Sequence, residues 1–170
     1  MIRDRLGKEL LFFDGGMGTL LQEKGLEPGE LPELWNITHP DEIRSIHRRY
    51  MEAGSDIVLT NTFGANALKF HDDSCSLKEI INAAVGHVKA AAEQCGRADA
   101  VLTALDVGPT GKLLKPMGDL EFETAYEAFR EVMILGEKAG ADLIHIETMS
   151  DTYELKAAVL AAKENTSLPV

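Results

Sequence analysis

Asp56, Asp99 and Asp142 are 43 residues apart both times, and each follows closely on a glycine and opens an apolar, β-branched run. The runs are residues 56–63 (DIVLTNTF), 99–107 (DAVLTALDV) and 142–147 (DLIHIE), with helical periodicity in the intervals between them. Such runs read as buried strands, and strand–helix units of one repeating length demand a parallel sheet with right-handed crossovers. Residues 10–13 (LLFF) supply an earlier strand, read as buried on both faces, and residues 168–170 (LPV) the first step of a later one. About four β/α units fit in 170 residues, whereas a complete eight-unit barrel takes about 250. The spacing predicts an α/β fold of parallel (β/α) units over residues 1–170, the N-terminal half of a (β/α)8 TIM barrel that stops near the start of strand five. A self-contained, four-stranded doubly wound sheet is the alternative. Against it, the first βα loop carries neither GxGxxG nor GxxxxGKS/T, so no phosphate-binding fingerprint supports a nucleotide fold.

The helical intervals carry their own end signals. Thr38 with Asp41 three residues on has the form of a capping box, opening a helix whose Ile43, Ile46, Tyr50 and Met51 share a face and which Gly54 stops. Ser76 and Glu79 repeat the pattern ahead of an apolar stripe running from Leu77 to Ala92, with Gly96 as its end. A helix from about Leu120 presents Ala125, Phe129, Val132 and Met133 and stops at Gly140, and a last one carries Leu155, Ala158, Val159 and Ala162.

Barrel chemistry sits at the carboxyl ends of the strands. The first run ends in Asp14, Gly15 and Gly16, where a carboxylate meets backbone that a ligand can approach closely. Counting five residues on from the opening aspartates reaches Asn61 in the second unit and Glu147 in the fourth. Asp14, Asn61 and Glu147 are thus expected at one rim. Two carboxylates facing the Gly15 and Gly16 amides describe a pocket for a zwitterion, the charge pattern of a free α-amino acid. Asp106 and Thr110 are secondary candidates to line it, and His145, on the same strand face as Glu147, reads as a hydrogen-bonded core residue.

A formal net charge of −11 repels phosphate backbones and anionic bilayers, which excludes nucleic acid and membrane surfaces as partners and favours a small molecule. The chain shows no membrane span and no signal peptide, so the cytoplasm is the expected compartment. Cys75 and Cys95 lie twenty positions apart without a CxxC pairing, as expected of reduced thiols, and form no metal site by themselves.

Four stretches in order, FFDGGMGT, GSDIVLTNTFGAN, DVGPTG and HIETMSDTYELKAAVLAA, resemble the homocysteine S-methyltransferase domain family, and within it the N-terminal homocysteine-binding modules of cobalamin-dependent methionine synthases. The resemblance implies a zinc enzyme in which homocysteine binds the metal through sulfur and takes a methyl group to give methionine, with methylcobalamin as donor and cobalamin and folate modules as partners. Zinc would hold the sulfur as thiolate at neutral pH, where a free thiol of pKa about 8.5 is mostly protonated. It carries the hold on the amino-acid end of L-homocysteine onto Asp14, Gly15, Gly16 and Glu147, and the pocket wall onto Thr60, Asn61, Thr62 and Phe63. The family's zinc ligands are cysteines at later strand ends, including a GGCC motif beyond the last residue here, so zinc ligation falls on no residue of this chain. The expectation is a truncated module, inactive alone, whose open edges invite self-association. A non-catalytic amino-acid-binding or assembly half-barrel is the alternative.

Overall fold

The computed structural model describes residues 2–70 and 74–170. Strands β1 (Ile57–Leu59), β2 (Leu102–Val107) and β3 (Leu143–Ile146) form a parallel sheet in chain order, with Leu59 opposite Ala104 and Ala104 opposite Leu143. Short backbone contacts extend it at both edges. Phe13 bridges Ile57 on one side, and the Ile144 N–H donates to the Pro169 carbonyl (2.8 Å) on the other. Five strand positions therefore follow one another in sequence order, the arrangement of an incomplete (β/α)8 barrel.

Two expectations for the strands need correcting. The 10–13 run is not buried on both faces, because as an edge it has β1 on one side alone, leaving Leu10 81% and Phe12 59% exposed. Asp99 does not open a strand. Residues 98–100 are a turn, closed by Ala100 and Val101 N–H groups donating to the Arg97 carbonyl, and β2 starts at Leu102.

Helices α1 (Ile2–Arg5), α2 (Met17–Glu23), α3 (Trp35–Thr38), α4 (Pro40–Ala53), α5 (Leu77–Gln94), α6 (Phe122–Ala139) and α7 (Thr152–Asn165) surround the sheet, with a 3-10 turn at Pro32–Leu34. The last four pack side by side in chain order. Alternation divides the strands: Val58, Leu105, Val107 and Ile144 face these helices, while Ile57, Ala104 and Leu143 face inward, where Ile2 of α1 covers them. No helix among the described residues is long and apolar enough to cross a membrane.

The Ser76–Glu79 capping box forms as expected, with the Glu79 N–H on the Ser76 hydroxyl and the Glu79 carboxylate on the Ser76 N–H. The Thr38–Asp41 box does not. Pro40 takes the first position of α4, and the residue before a proline is kept out of the helical region, so His39 becomes the cap without a side-chain bond. Thr38 instead ends α3, its hydroxyl donating to the Leu34 carbonyl (3.2 Å).

Polar ties lock the sheet at both ends. At the amino ends of the strands Asp56 accepts the Phe12 N–H (3.1 Å) and faces Arg5 and Arg97, while Arg97 also donates to the Met51 and Ser55 carbonyls. At the carboxyl ends the buried Glu154 of α7 accepts both the N–H (2.8 Å) and the hydroxyl (2.5 Å) of buried Thr110, in the loop after β2. Glu154→Ala strands both donors and opens a hole. It should lower stability by about 2–4 kcal/mol in urea denaturation, with Glu154→Gln, which keeps one acceptor, losing roughly half as much.

Candidate functional site

A cleft of about 430 Å³ opens at the carboxyl ends of the strands, between the inner sheet face and residues 14–18 and 32–33. Asp14, Gly15, Gly16, Asn61 and Glu147 all line it, so the five site residues expected from the sequence are brought together. Asp106 lines it too, although counting five residues on from Asp99 does not reach it. The ladder sets Asp106 level with His145, and the same register carried two residues past Leu59 sets it level with Asn61. Strand pairing, not distance from the opening aspartate, decides which side chains share a layer. Thr110 turns away to Glu154 and does not line the cleft. His145 faces the barrel interior below Glu147, its ring 4.9 Å from that of Phe13.

Each wall is held by identifiable bonds. Both oxygens of the Asp14 carboxylate lie 3.2 Å from the Leu59 N–H, tying the edge segment to β1. Asn61 donates its side-chain N–H to the Pro32 carbonyl (2.8 Å), and its own carbonyl accepts from Asn36 (2.8 Å), so this residue fixes the 3-10 turn against the strand end. Glu33, on that turn, is buried and accepts the Gly64 N–H (2.6 Å). The sequence gives no sign of Glu33, since the turn has no periodicity and its partner is distant in the chain. Thr62 donates to the Asp106 carbonyl (2.7 Å) and so must accept from Thr60, whose oxygen also takes the Asp106 N–H (3.1 Å). The two threonines thus splice the ends of β1 and β2.

Gly15 and Gly108 are required by close approach. A Cβ on Gly15 would stand 2.8 Å from the Tyr50 hydroxyl, which donates to the Gly16 carbonyl, and one on Gly108 would overlap the Phe63 ring. The Gly15 and Gly16 N–H groups have no acceptor among the described residues. Directly after Glu147, Thr148 holds φ at 58°, a strained value for a β-branched residue and the sole non-glycine positive φ among the described residues.

Four carboxyl groups, those of Asp14, Glu33, Asp106 and Glu147, share the cleft, and no lysine, arginine or histidine lines it. Burial pushes Asp14 up to about 7, opposed by its amide bonds and reinforced by Glu147. Burial likewise raises Asp106 to about 8, with Glu147, Asp14 and Glu33 adding to the rise. A carboxyl raised on folding keeps its proton in the fold after the unfolded chain has lost its own, so stability falls as pH rises from near 4 toward 8. Asp106→Asn removes that penalty. It should match the parent protein in urea at pH 4 and exceed it by roughly 1–3 kcal/mol at pH 8.

Comparison with known proteins agrees with the geometry. The homocysteine S-methyltransferase family profile matches residues 11–170. Methionine synthase from Mycobacterium tuberculosis is 34% identical and that from Mycobacterium leprae 32%, each alignment covering 94% of this chain but 14% of the relative. The crystal structure of the homocysteine methyltransferase MmuM from Escherichia coli in its oxidized form superposes with a TM-score of 0.78 at 25% identity, covering 97% of this chain and 63% of MmuM. The metallated form gives 0.76 with 97% and 64% covered. This chain therefore spans about a seventh of the curated methionine synthases and under two thirds of MmuM, and it belongs to the homocysteine S-methyltransferase family.

Proposed function

We propose that residues 1–170 are the N-terminal half of a homocysteine-binding (β/α)8 barrel and supply the amino-acid end of the pocket for methyl transfer to homocysteine, giving methionine. The observation that carries this is the pairing of Asp14 and Glu147 at one rim with the unbonded Gly15 and Gly16 amides beside them, in a member of this family. An α-ammonium sits between the two carboxylates as a charge-assisted donor, and the α-carboxylate takes the glycine amides. Leu59, Met17 and Phe63 offer apolar wall to the methylene groups. The protein's part in the reaction is then orientation, holding the side chain of the amino acid out toward the methyl donor.

Zinc and methylcobalamin belong to this reading through the family, and cytoplasmic residence and partner cobalamin and folate modules with them. The residues of this chain do not themselves fit a zinc site. Among the described residues no group of three or more His, Cys, Asp and Glu is placed to hold a metal, and Cys75 and Cys95 are unpaired thiols at opposite ends of α5. Metal ligation is accordingly assigned to no residue here. The same observation keeps the non-catalytic amino-acid-binding half-barrel as the second reading.

Titration calorimetry with L-homocysteine, with and without zinc, separates the two when this chain is run beside one continued through the whole barrel. Zinc-dependent binding confined to the longer chain supports the methyltransferase module, and equal metal-free binding by both supports the binding module. In whichever chain binds, Glu147→Ala should weaken L-homocysteine by about tenfold or more, the loss of one charge-assisted contact.

A further inference from the structure

We propose that Asp106 and Glu147 hold one proton between them in the ligand-free cleft, and that an entering primary ammonium displaces it, so that binding releases one proton to solvent. This rests on the amino-acid reading above and adds Asp106 to the ammonium's surroundings.

The carboxyl groups of the cleft are not equivalent. Asp14 has the Leu59 N–H and Glu33 has the Gly64 N–H. Asp106 is 6% exposed, and its Oδ1 is buried without any hydrogen-bond partner among the described residues. Asp106 and Glu147 line one cleft, and the Glu147 N–H donates to the carbonyl of Val107, the residue after Asp106 (3.1 Å), which sets the two residues side by side at the rim. A buried acceptor without a donor is costly, and two carboxylates at one site cannot both ionise cheaply.

No neighbour relieves the pair. From the edge segment and the 3-10 turn come Asp14 and Glu33, both acidic. From α4, the Tyr50 hydroxyl donates to the Gly16 carbonyl. From β3, His145 lays its ring against Phe13, and from the loop after β1, Lys69 sits over the Phe63 ring, its Nζ 5.1 Å from the centroid. The burial and charge that lift Asp106 to about 8 agree with a proton retained at neutral pH.

A primary ammonium satisfies this arrangement. Its three N–H donors match acceptors on Asp106, Glu147 and Asp14, and its charge replaces that of the proton. The balance is a neutral carboxyl, a carboxylate and an ammonium going to two carboxylates, a bound ammonium and one proton in solvent. Acidification therefore opposes binding, and affinity rises with pH until the pair has ionised.

L-Methionine tests this, because it has the same amino-acid end and no thiol whose ionisation could supply a proton. Calorimetry of the chain at pH 7 in buffers of low and high ionisation enthalpy should show at least one proton released, that of the pair plus the fraction still on Asp14, with affinity rising at least tenfold per pH unit between pH 6 and 7. Asp106→Asn should release about one proton fewer and lose the matching tenfold-per-unit part of the pH dependence, keeping only the fraction that Asp14, raised to about 7, gives up. Binding without proton release, or release in Asp106→Asn equal to that of the parent protein, overturns the shared proton and leaves the amino-acid pocket standing. Failure of both L-methionine and L-homocysteine to bind at any pH, in this chain and in one continued through the barrel, overturns the pocket reading itself. Carboxyl carbon NMR of the ligand-free protein decides the matter without a variant. A carboxyl of the pair titrating above pH 6 is expected, and both titrating below pH 5 overturns the proposal.

Discussion

The register of three parallel strands is the constraint on which everything else in this structure depends. Because Leu59 lies opposite Ala104 and Ala104 opposite Leu143, the inward residues of each strand fall into layers. The lower layers are apolar, Ile57 with Leu102 and then Leu59 with Ala104 and Leu143, and Ile2 closes them. The upper one is polar, Asn61, Asp106 and His145, and the first two line the cleft while His145 lies against Phe13. A slip of one residue in β2 or β3 would turn an acid of the rim into the helix layer and an aliphatic side chain into the site. Fold and site are in this sense a single arrangement, fixed by the same backbone hydrogen bonds.

What could be read from the sequence alone is what depends on local chemistry. The Ser76–Glu79 cap is complete within four residues, and the glycine stops at Gly54 and Gly140 adopt the left-handed conformation that ends a helix. The Asp14, Asn61 and Glu147 rim was legible because each residue ends its own strand. Asp106 ends a strand too, but its rank in the site depends on how β2 pairs with its neighbours, and β2 begins three residues later than the aspartate spacing suggests. The Thr38 cap failed through one following residue, Pro40, which dictates the backbone before it. Leu10 and Phe12 are apolar enough for an interior strand, and only position at the sheet edge exposes them. Glu33 was out of reach, since its burial depends on a contact with Gly64 across the fold.

The cleft gathers acidic groups in a chain that already carries a net charge of −11, and it does so without a basic side chain in its walls. Such a pocket is less stable empty than its packing alone would suggest, and the deficit is specific for positive charge. Selectivity then precedes any contact with the rest of a ligand: an uncharged or anionic molecule of the same shape leaves the repulsion where it was.

The Glu154–Thr110 tie acquires a meaning from this. It joins the loop after β2 to the helix after β3 on the far side of the very strands that carry Asp106 and Glu147. Two like charges on flexible supports would drift apart and dissipate their repulsion as a small elastic displacement. Here the Glu154–Thr110 bonds brace the segments that follow both residues against that drift. The strain can be discharged only chemically, by a cation or a proton, and a stiff support is what turns an electrostatic penalty into recognition.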